Sequence, residues 1–566
     1  MTVRPRSPAT GGRQSTSASD RIELRLRARA RARGRTIWLL MGLSMAFMVL
    51  AGQLVRLGLR HDASEGGPRV AMNSPVSKTF ARPDIVDRAG RLLATDLVGH
   101  SLYADPSLVL DADRAAESLI KVFPDLDAKE LRQKLGDPAR RFEWIKRGLT
   151  PRLAQRAHDL GIPGLALNKE PKRTYPLGRL AGHLLGVVST DNHGLSGIER
   201  HVDQAVGIEM AVTGEAGSRQ RVRLTVDVGV QHALEEELAA AVARYSAQGA
   251  AGVVLDAETG EIAAIASLPD VDPAHVMESQ DPMRLDRMTT GRYELGSVFK
   301  VATLALALEA GMRLEQAVDV QGPLEVSGHK IRDLHPAGKE LPLGMAFLKS
   351  SNVGFGRVGL MLGEQRLTGF FARLGLSGQM QTEAGPVATM RLPKRWGEAE
   401  IATAAFGHGI AVTPLQFAVA AAALVNGGRR VAPTVIAREN ERRPEGEQVV
   451  SQQTSARIRA ILRDNVAGAT GTGKRADVPG YEVGGKTGTA EQPVAGKYVE
   501  KSVISSFLAA FPMSKPRYVT YVLLFQPQPV AESEGKITAG HNAAPLTAKV
   551  VRRIAPLLGV APRGVD

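Results

Sequence analysis

With 566 residues, of which 43% are hydrophobic and 23% charged, the chain is long enough for several globular domains with sizeable cores. It has no cysteine, which excludes thiol catalysis, cysteine-ligated zinc and disulfides, and its 12 histidines form no His-Glu-x-x-His or other metal-ligand spacing, so neither a metal nor a cofactor is expected. The formal charge of +14 suggests a nucleic-acid partner until it is divided: residues 1–35 hold ten arginines against Asp20 and Glu23, a net of +8, which leaves +6 for everything else.

That basic tail abuts an uncharged run of nineteen residues, Ile37 to Val55. At about 1.5 Å per helical residue the run matches the hydrocarbon core of a bilayer. No small-residue cleavage site follows it, so residues 36–58 read as an uncleaved single-pass transmembrane anchor. The arginines set its orientation: tail 1–35 in the cytoplasm, everything after about residue 58 outside. Nucleic-acid binding by the tail is the rival reading, but a position against a membrane span accounts for the same charges without a second function.

Residues 59–79 read as a linker, since they contain Ser64-Glu65-Gly66-Gly67-Pro68. Residues 80–221 are mixed, with helical spacing at 128–136 and 151–160 and Gly/Pro punctuation between. No catalytic constellation falls there, and the stretch reads as a spacer or interaction domain. The character changes over 222–566. A helix is expected over 226–245, and the apolar runs 251–256 and 261–266 flank a turn at Ala257-Glu258-Thr259-Gly260, which reads as a hairpin. Two more strands are expected over 503–511 and 518–525, then a helix over 544–558. Strands at both ends with helices between them predict an α+β domain whose central antiparallel sheet is assembled from distant segments.

Three short motifs carry the chemistry: Ser297-Val298-Phe299-Lys300, Ser350-Ser351-Asn352 and Lys486-Thr487-Gly488-Thr489. Each alone is ordinary, a helix cap, a loop or a strand-to-turn tripeptide; in this order they supply a nucleophile, a base, a proton relay and an anion clamp. Ser297 is expected in the first turn of a helix running to Ala310 and closed by Gly311. Lys300 lies one turn on, and its amine serves as base if burial and a neighbouring cation, Lys486, keep it neutral. Ser350 is placed to relay a proton, and Asn352 to hold the lysine and a substrate amide. Gly488 is expected to leave room for a substrate adding as a further strand, with Lys486, Thr487 and Thr489 binding a carboxylate. Backbone N–H groups near Ser297 and Thr489 are expected to form an oxyanion hole. Hydrolysis would need a water and a carboxylate base; Glu294 is nearest in sequence and reads as structural.

Three further stretches widen the pattern: Arg82-Pro83-Asp84-Ile85-Val86-Asp87-Arg88 through Ala94; Arg173-Thr174-Tyr175-Pro176-Leu177-Gly178 with His183 and Gly186; and Gly194-Leu195-Ser196-Gly197-Ile198-Glu199. With the catalytic motifs, the chain resembles a class B penicillin-binding protein from the anchor to the last helix. Two departures, Pro83 for the usual Gly and Leu295 where Pro often precedes Gly296-Ser297, bear on backbone shape and remove no catalytic group. The resemblance implies a non-catalytic pedestal (a dimerisation-like domain) and a penicillin-binding, serine β-lactamase-like transpeptidase domain, its sheet flanked by helices. It implies attack of Ser297 on the penultimate D-Ala of a peptidoglycan stem peptide, resolution by a neighbouring amine, and acylation by β-lactams. It also implies a polytopic membrane polymerase and other division-complex membrane proteins as partners. The basic tail and the Tyr293-Glu294-Leu295-Gly296-Ser297 lead-in most resemble the septal member at the bacterial inner membrane. An elongation member, or a membrane-anchored β-lactam sensor, remains as the alternative.

Overall fold

The computed structural model describes residues 41–53, 82–205, 221–335, 338–438, 444–494 and 497–564. The basic tail, the linker and both ends of the anchor expected over 36–58 lie outside them. Residues 41–53 are helical and exposed, and among the described residues no helix is long and apolar enough to cross a membrane. Residues 41–53 belong to one unit and the described residues from 82 onward to another.

The pedestal is built on a five-stranded sheet of β1 (Asp84–Val86), β2 (Leu92–Ala104), β3 (Glu143–Leu149), β4 (Leu165–Thr174) and β5 (Arg221–Arg223). β2 is long enough to pair with β1 near its start and with β4 along Thr95↔Thr174 to Ala104↔Leu165. Its far end carries a small core in which Leu102, Leu119, Phe123, Leu131 and Leu149 are buried under short helices at Ala112–Val122, Ala128–Leu135 and Pro151–His158. Asp111, Asp127 and Thr150 cap those helices by accepting from the backbone N–H three residues on.

The three pedestal motifs converge on one buried ion cluster. Glu199, fully buried, accepts from Arg82 Nε at 2.9 Å and from Arg173 Nε at 2.7 Å. Arg173 also reaches Asp96 at 3.1 Å, Tyr175 donates its hydroxyl to Glu199 at 3.2 Å, and Arg82 pairs with Asp203. Charges so buried persist only when paired and hydrogen-bonded, which is why these stretches use arginine and carboxylate together.

The catalytic domain is centred on an antiparallel sheet in the order β8 (Gly484–Val494), β9 (Lys497–Phe511), β10 (Tyr518–Phe525), β6 (Gly249–Asp256), β7 (Ile262–Leu268). β7 and β8, which the helical part of the domain separates in the chain, therefore form opposite edges. β10 is buried at every position. Val519, Tyr521, Leu523 and Phe525 face one core, with helices Lys300–Glu309 and Pro414–Val425. Tyr518, Val522 and Leu524 face the other, with helices Val228–Arg244 and Ala543–Leu557. A sheet covered on both faces reads as continuous apolar runs, which is why these strands are apolar without alternation. Pro414–Val425 is buried all round for the same reason.

Candidate active site

Ser297 does not begin an α-helix. Gly296–Phe299 forms a 3-10 turn, and the α-helix runs Lys300–Glu309, capped at Ala310 with Gly311 just beyond at φ +89°. The tighter turn suits the chemistry, because three residues per turn eclipse positions i and i+3 and set Lys300 directly over Ser297. Lys300 Nζ lies 2.9 Å from Ser297 Oγ, 2.8 Å from Asn352 Oδ1, 2.7 Å from the Ser350 carbonyl and 3.3 Å from Ser350 Oγ. The two Ser350 contacts depend on its backbone, held at φ +58° between helices Leu343–Leu348 and Asn352–Leu362. A left-handed non-glycine residue costs of the order of 1–2 kcal/mol, so the surroundings enforce this conformation.

Lys486 completes the relay: its amine donates to Ser350 Oγ at 3.0 Å, so one hydroxyl lies between two lysines. Both side chains are fully buried, with Lys300 near the rings of Phe355 and Phe406 and Lys486 near Phe347. Burial, then the charge of Lys486, pushes the Lys300 amine well below the usual lysine range, against a smaller opposing pull from Asp333. Burial pushes Lys486 down to about 7. Burial and a second cation are the two influences that sequence reasoning expected to act on this lysine.

The third motif lies on β8, an edge strand that among the described residues pairs only with β9. Thr487 Oγ1 shares a hydrogen bond with Thr472 Oγ1 at 2.7 Å, and Thr489 Oγ1 accepts from Ala539 N–H at 3.1 Å. Gly488 differs from expectation. A Cβ there would lie 2.3 Å from Val298 Cγ2 and 2.6 Å from the Leu295 carbonyl, so the missing side chain admits the turn that carries the nucleophile, not a substrate. Gly296 answers it from the other side: at φ +56°, its own Cβ would lie 2.8 Å from the Thr489 carbonyl. The two glycines let the Ser297 turn and β8 touch, bringing the backbone of Ser297 beside that of Thr489.

Three further groups at the site were not found by sequence reasoning. Asp333 accepts from the N–H groups of Asn352 and Val353, the latter at 3.0 Å, and from Ser351 Oγ at 2.6 Å, fixing the start of the Asn352–Leu362 helix. Thr472 supports Thr487. His408 Nδ1 pairs with Glu294 at 2.7 Å, which raises the imidazole above its ordinary value against burial and gives Glu294 a structural partner. The segment Gly407-His408 lies against the nucleophile's turn, as Gly296 N–H donates to the Gly407 carbonyl at 3.1 Å. A lone aspartate, threonine or histidine in a loop carries no spacing signal.

A serine hydroxyl, a desolvated amine and a second lysine joined through one hydroxyl at a sheet edge define a serine acyltransferase of the penicillin-binding class. Residues 250–552 match the penicillin binding protein transpeptidase domain, and residues 78–212 the penicillin-binding protein dimerisation domain. The chain is 39% identical over 488 residues to the probable peptidoglycan D,D-transpeptidase FtsI of Caulobacter vibrioides, covering 85% of this chain and 82% of that protein. It is 29% identical over 509 residues to the peptidoglycan D,D-transpeptidase FtsI of Escherichia coli, covering 85% and 84%. A solved peptidoglycan synthetase from Bifidobacterium adolescentis shares the fold, with TM-score 0.66 over 86% of this chain and 97% of that one, at 21% identity. The chain belongs to the class B penicillin-binding proteins, with a transpeptidase domain and a dimerisation domain.

Proposed function

We propose that this protein is a serine D,D-transpeptidase that cross-links peptidoglycan stem peptides at the division septum, and that β-lactams acylate the same serine. The observation that carries this reading is the Lys300 amine, buried and biased toward its neutral form, 2.9 Å from the Ser297 hydroxyl. Ser297 passes its proton to Lys300 as Oγ attacks the carbonyl of the penultimate D-Ala, and the N–H groups of Ser297 and Thr489 receive the oxyanion. The D-Ala–D-Ala amide then breaks. Its nitrogen takes the proton from Lys300 through Ser350 Oγ, which contacts both lysines, and terminal D-Ala leaves. An amine on a neighbouring stem attacks the ester and gives up its proton by the same route, and Ser297 recovers its hydroxyl. Lys486, Thr487 and Thr489 line the place for the terminal carboxylate, and the open edge of β8 takes the stem peptide as an added strand.

The charge partition and the apolar run at 37–55 support a single-pass anchor in the bacterial inner membrane, with the N-terminus cytoplasmic and the catalytic domain periplasmic. Glycan polymerisation then falls to a polytopic membrane partner within the division complex. Similarity to two proteins named FtsI favours the septal over the elongation reading. Stem-peptide cross-linking by wild type and Ser297→Ala tests the chemistry: the wild type should form dimeric product and the variant none. A β-lactam sensor would bind labelled penicillin yet form no dimer. Depletion tests the cellular role, since loss of a septal enzyme gives filaments and loss of an elongation enzyme gives rounded cells.

A further inference from the structure

A cavity of about 440 Å³ lies where the pedestal meets the catalytic domain. Its size falls within the roughly 300–1,000 Å³ typical of small-molecule sites. The pedestal supplies residues around 182–187 and 196–200, and the catalytic domain supplies β7 and the segment 279–290. None of the catalytic motifs lines it. Leu184, Ile265, Leu285, Leu415 and Val435 give it an apolar body.

Its charges are unequal in their commitments. Asp281 caps Met283 N–H at 2.9 Å and pairs with Arg284, and Asp286 accepts from Met288 N–H at 2.9 Å and from Thr289. Arg284 is spent on Asp270, Glu278 and Asp281. Arg200 is different: among the described residues no carboxylate or carbonyl pairs with its guanidinium, although it lies on the cavity wall. A guanidinium in a partly apolar recess is matched by a planar carboxylate that accepts two parallel N–H bonds.

We propose that this cavity is a second ligand site, distinct from the Ser297 cleft, that takes a small organic carboxylate with an apolar body, its carboxylate on Arg200. The ligand would rest against the segment that leads to the nucleophile. Leu415 N–H donates to the Met288 carbonyl at 3.1 Å, Tyr293 and Val412 exchange two backbone hydrogen bonds at 3.0 Å, and Ser297 follows four residues later.

Equilibrium dialysis with radiolabelled 4-phenylbutyrate and with its neutral amide, 4-phenylbutyramide, tests this. The full chain is first acylated with penicillin so that the Ser297 cleft is blocked. The acid should bind saturably, one per chain, and at least tenfold more tightly than the amide; Arg200→Gln should lose the same factor while still labelling with penicillin. Non-saturable or absent binding of the acid, equal binding of acid and amide, or undiminished binding by a penicillin-competent Arg200→Gln would each overturn the proposal. If Arg200→Gln fails to label, the comparison of acid with amide on the wild type decides.

Discussion

At the residue scale, the site is a problem in keeping one amine neutral and another charged within a single buried space. Lys300 must be neutral to accept the Ser297 proton, and Lys486 must be charged to hold a carboxylate. Burial lowers both, and the charge of Lys486 lowers Lys300 further. The second-order rate of acylation by a penicillin should therefore rise from acid pH as Lys300 loses its proton. It should fall again above about 7 as free Lys486 loses its own. A penicillin methyl ester has no carboxylate for Lys486, so its profile should lack the alkaline fall; a fall of the same size with the ester would contradict the assignment. Asp333 allows a second test. Its charge raises the Lys300 pKa, and its oxygens order Ser351 and Asn352. Asp333→Asn should move the acid limb to lower pH and reduce the maximal rate about tenfold, equivalent to the roughly 1.4 kcal/mol of one hydrogen bond to a charged group. An acid limb that stays in place would show that Asp333 acts on geometry alone.

The elements of this fold were unevenly legible in the sequence. The strand over 518–525 and the helices at either end of the catalytic domain were readable, because a buried strand and an amphipathic helix impose their own patterns. The expected hairpin of 251–256 and 261–266 is present as β6 and β7, pairing Val253↔Ile265. The 3-10 turn at Ser297 was not readable, since its sequence continues into an α-helix with no break in periodicity. Nor was the real constraint on Gly488, which comes from Val298 and Leu295, nearly two hundred residues earlier. Gly488→Ala should push the nucleophile's turn off β8. We expect a loss of about 1–3 kcal/mol in urea unfolding, as for overpacking elsewhere, and a penicillin acylation rate lower by more than tenfold. Unchanged acylation would mean that the turn moves without disturbing Ser297. In the pedestal, Glu199→Gln leaves Arg82 and Arg173 short of their shared carboxylate, and breaking a buried pair costs about 3–5 kcal/mol. The urea midpoint should fall accordingly, while the acylation rate of the native protein stays the same.

At the scale of the whole molecule, the three catalytic motifs are separated by some fifty and some hundred and thirty residues, yet Ser350 Oγ contacts both Lys300 and Lys486. The sheet makes that possible, because β8 to β10 close onto β6 and carry Lys486 back to the helix that starts at Lys300. Motif order and chemistry were legible because acyl transfer restricts which residue types can serve. Asp333, Thr472 and His408 were not, because their roles exist only once distant loops meet. Every step of this chemistry depends on Lys300 as the base for Ser297. Intact-protein mass spectrometry over time with excess penicillin tests it directly, comparing wild type, Ser297→Ala and Lys300→Ala. The wild type should gain one adduct, mapped to Ser297; Ser297→Ala should gain none; and Lys300→Ala should react about a hundredfold to ten-thousandfold more slowly while melting as a folded protein. Acylation of folded Lys300→Ala at the wild-type rate would contradict the account.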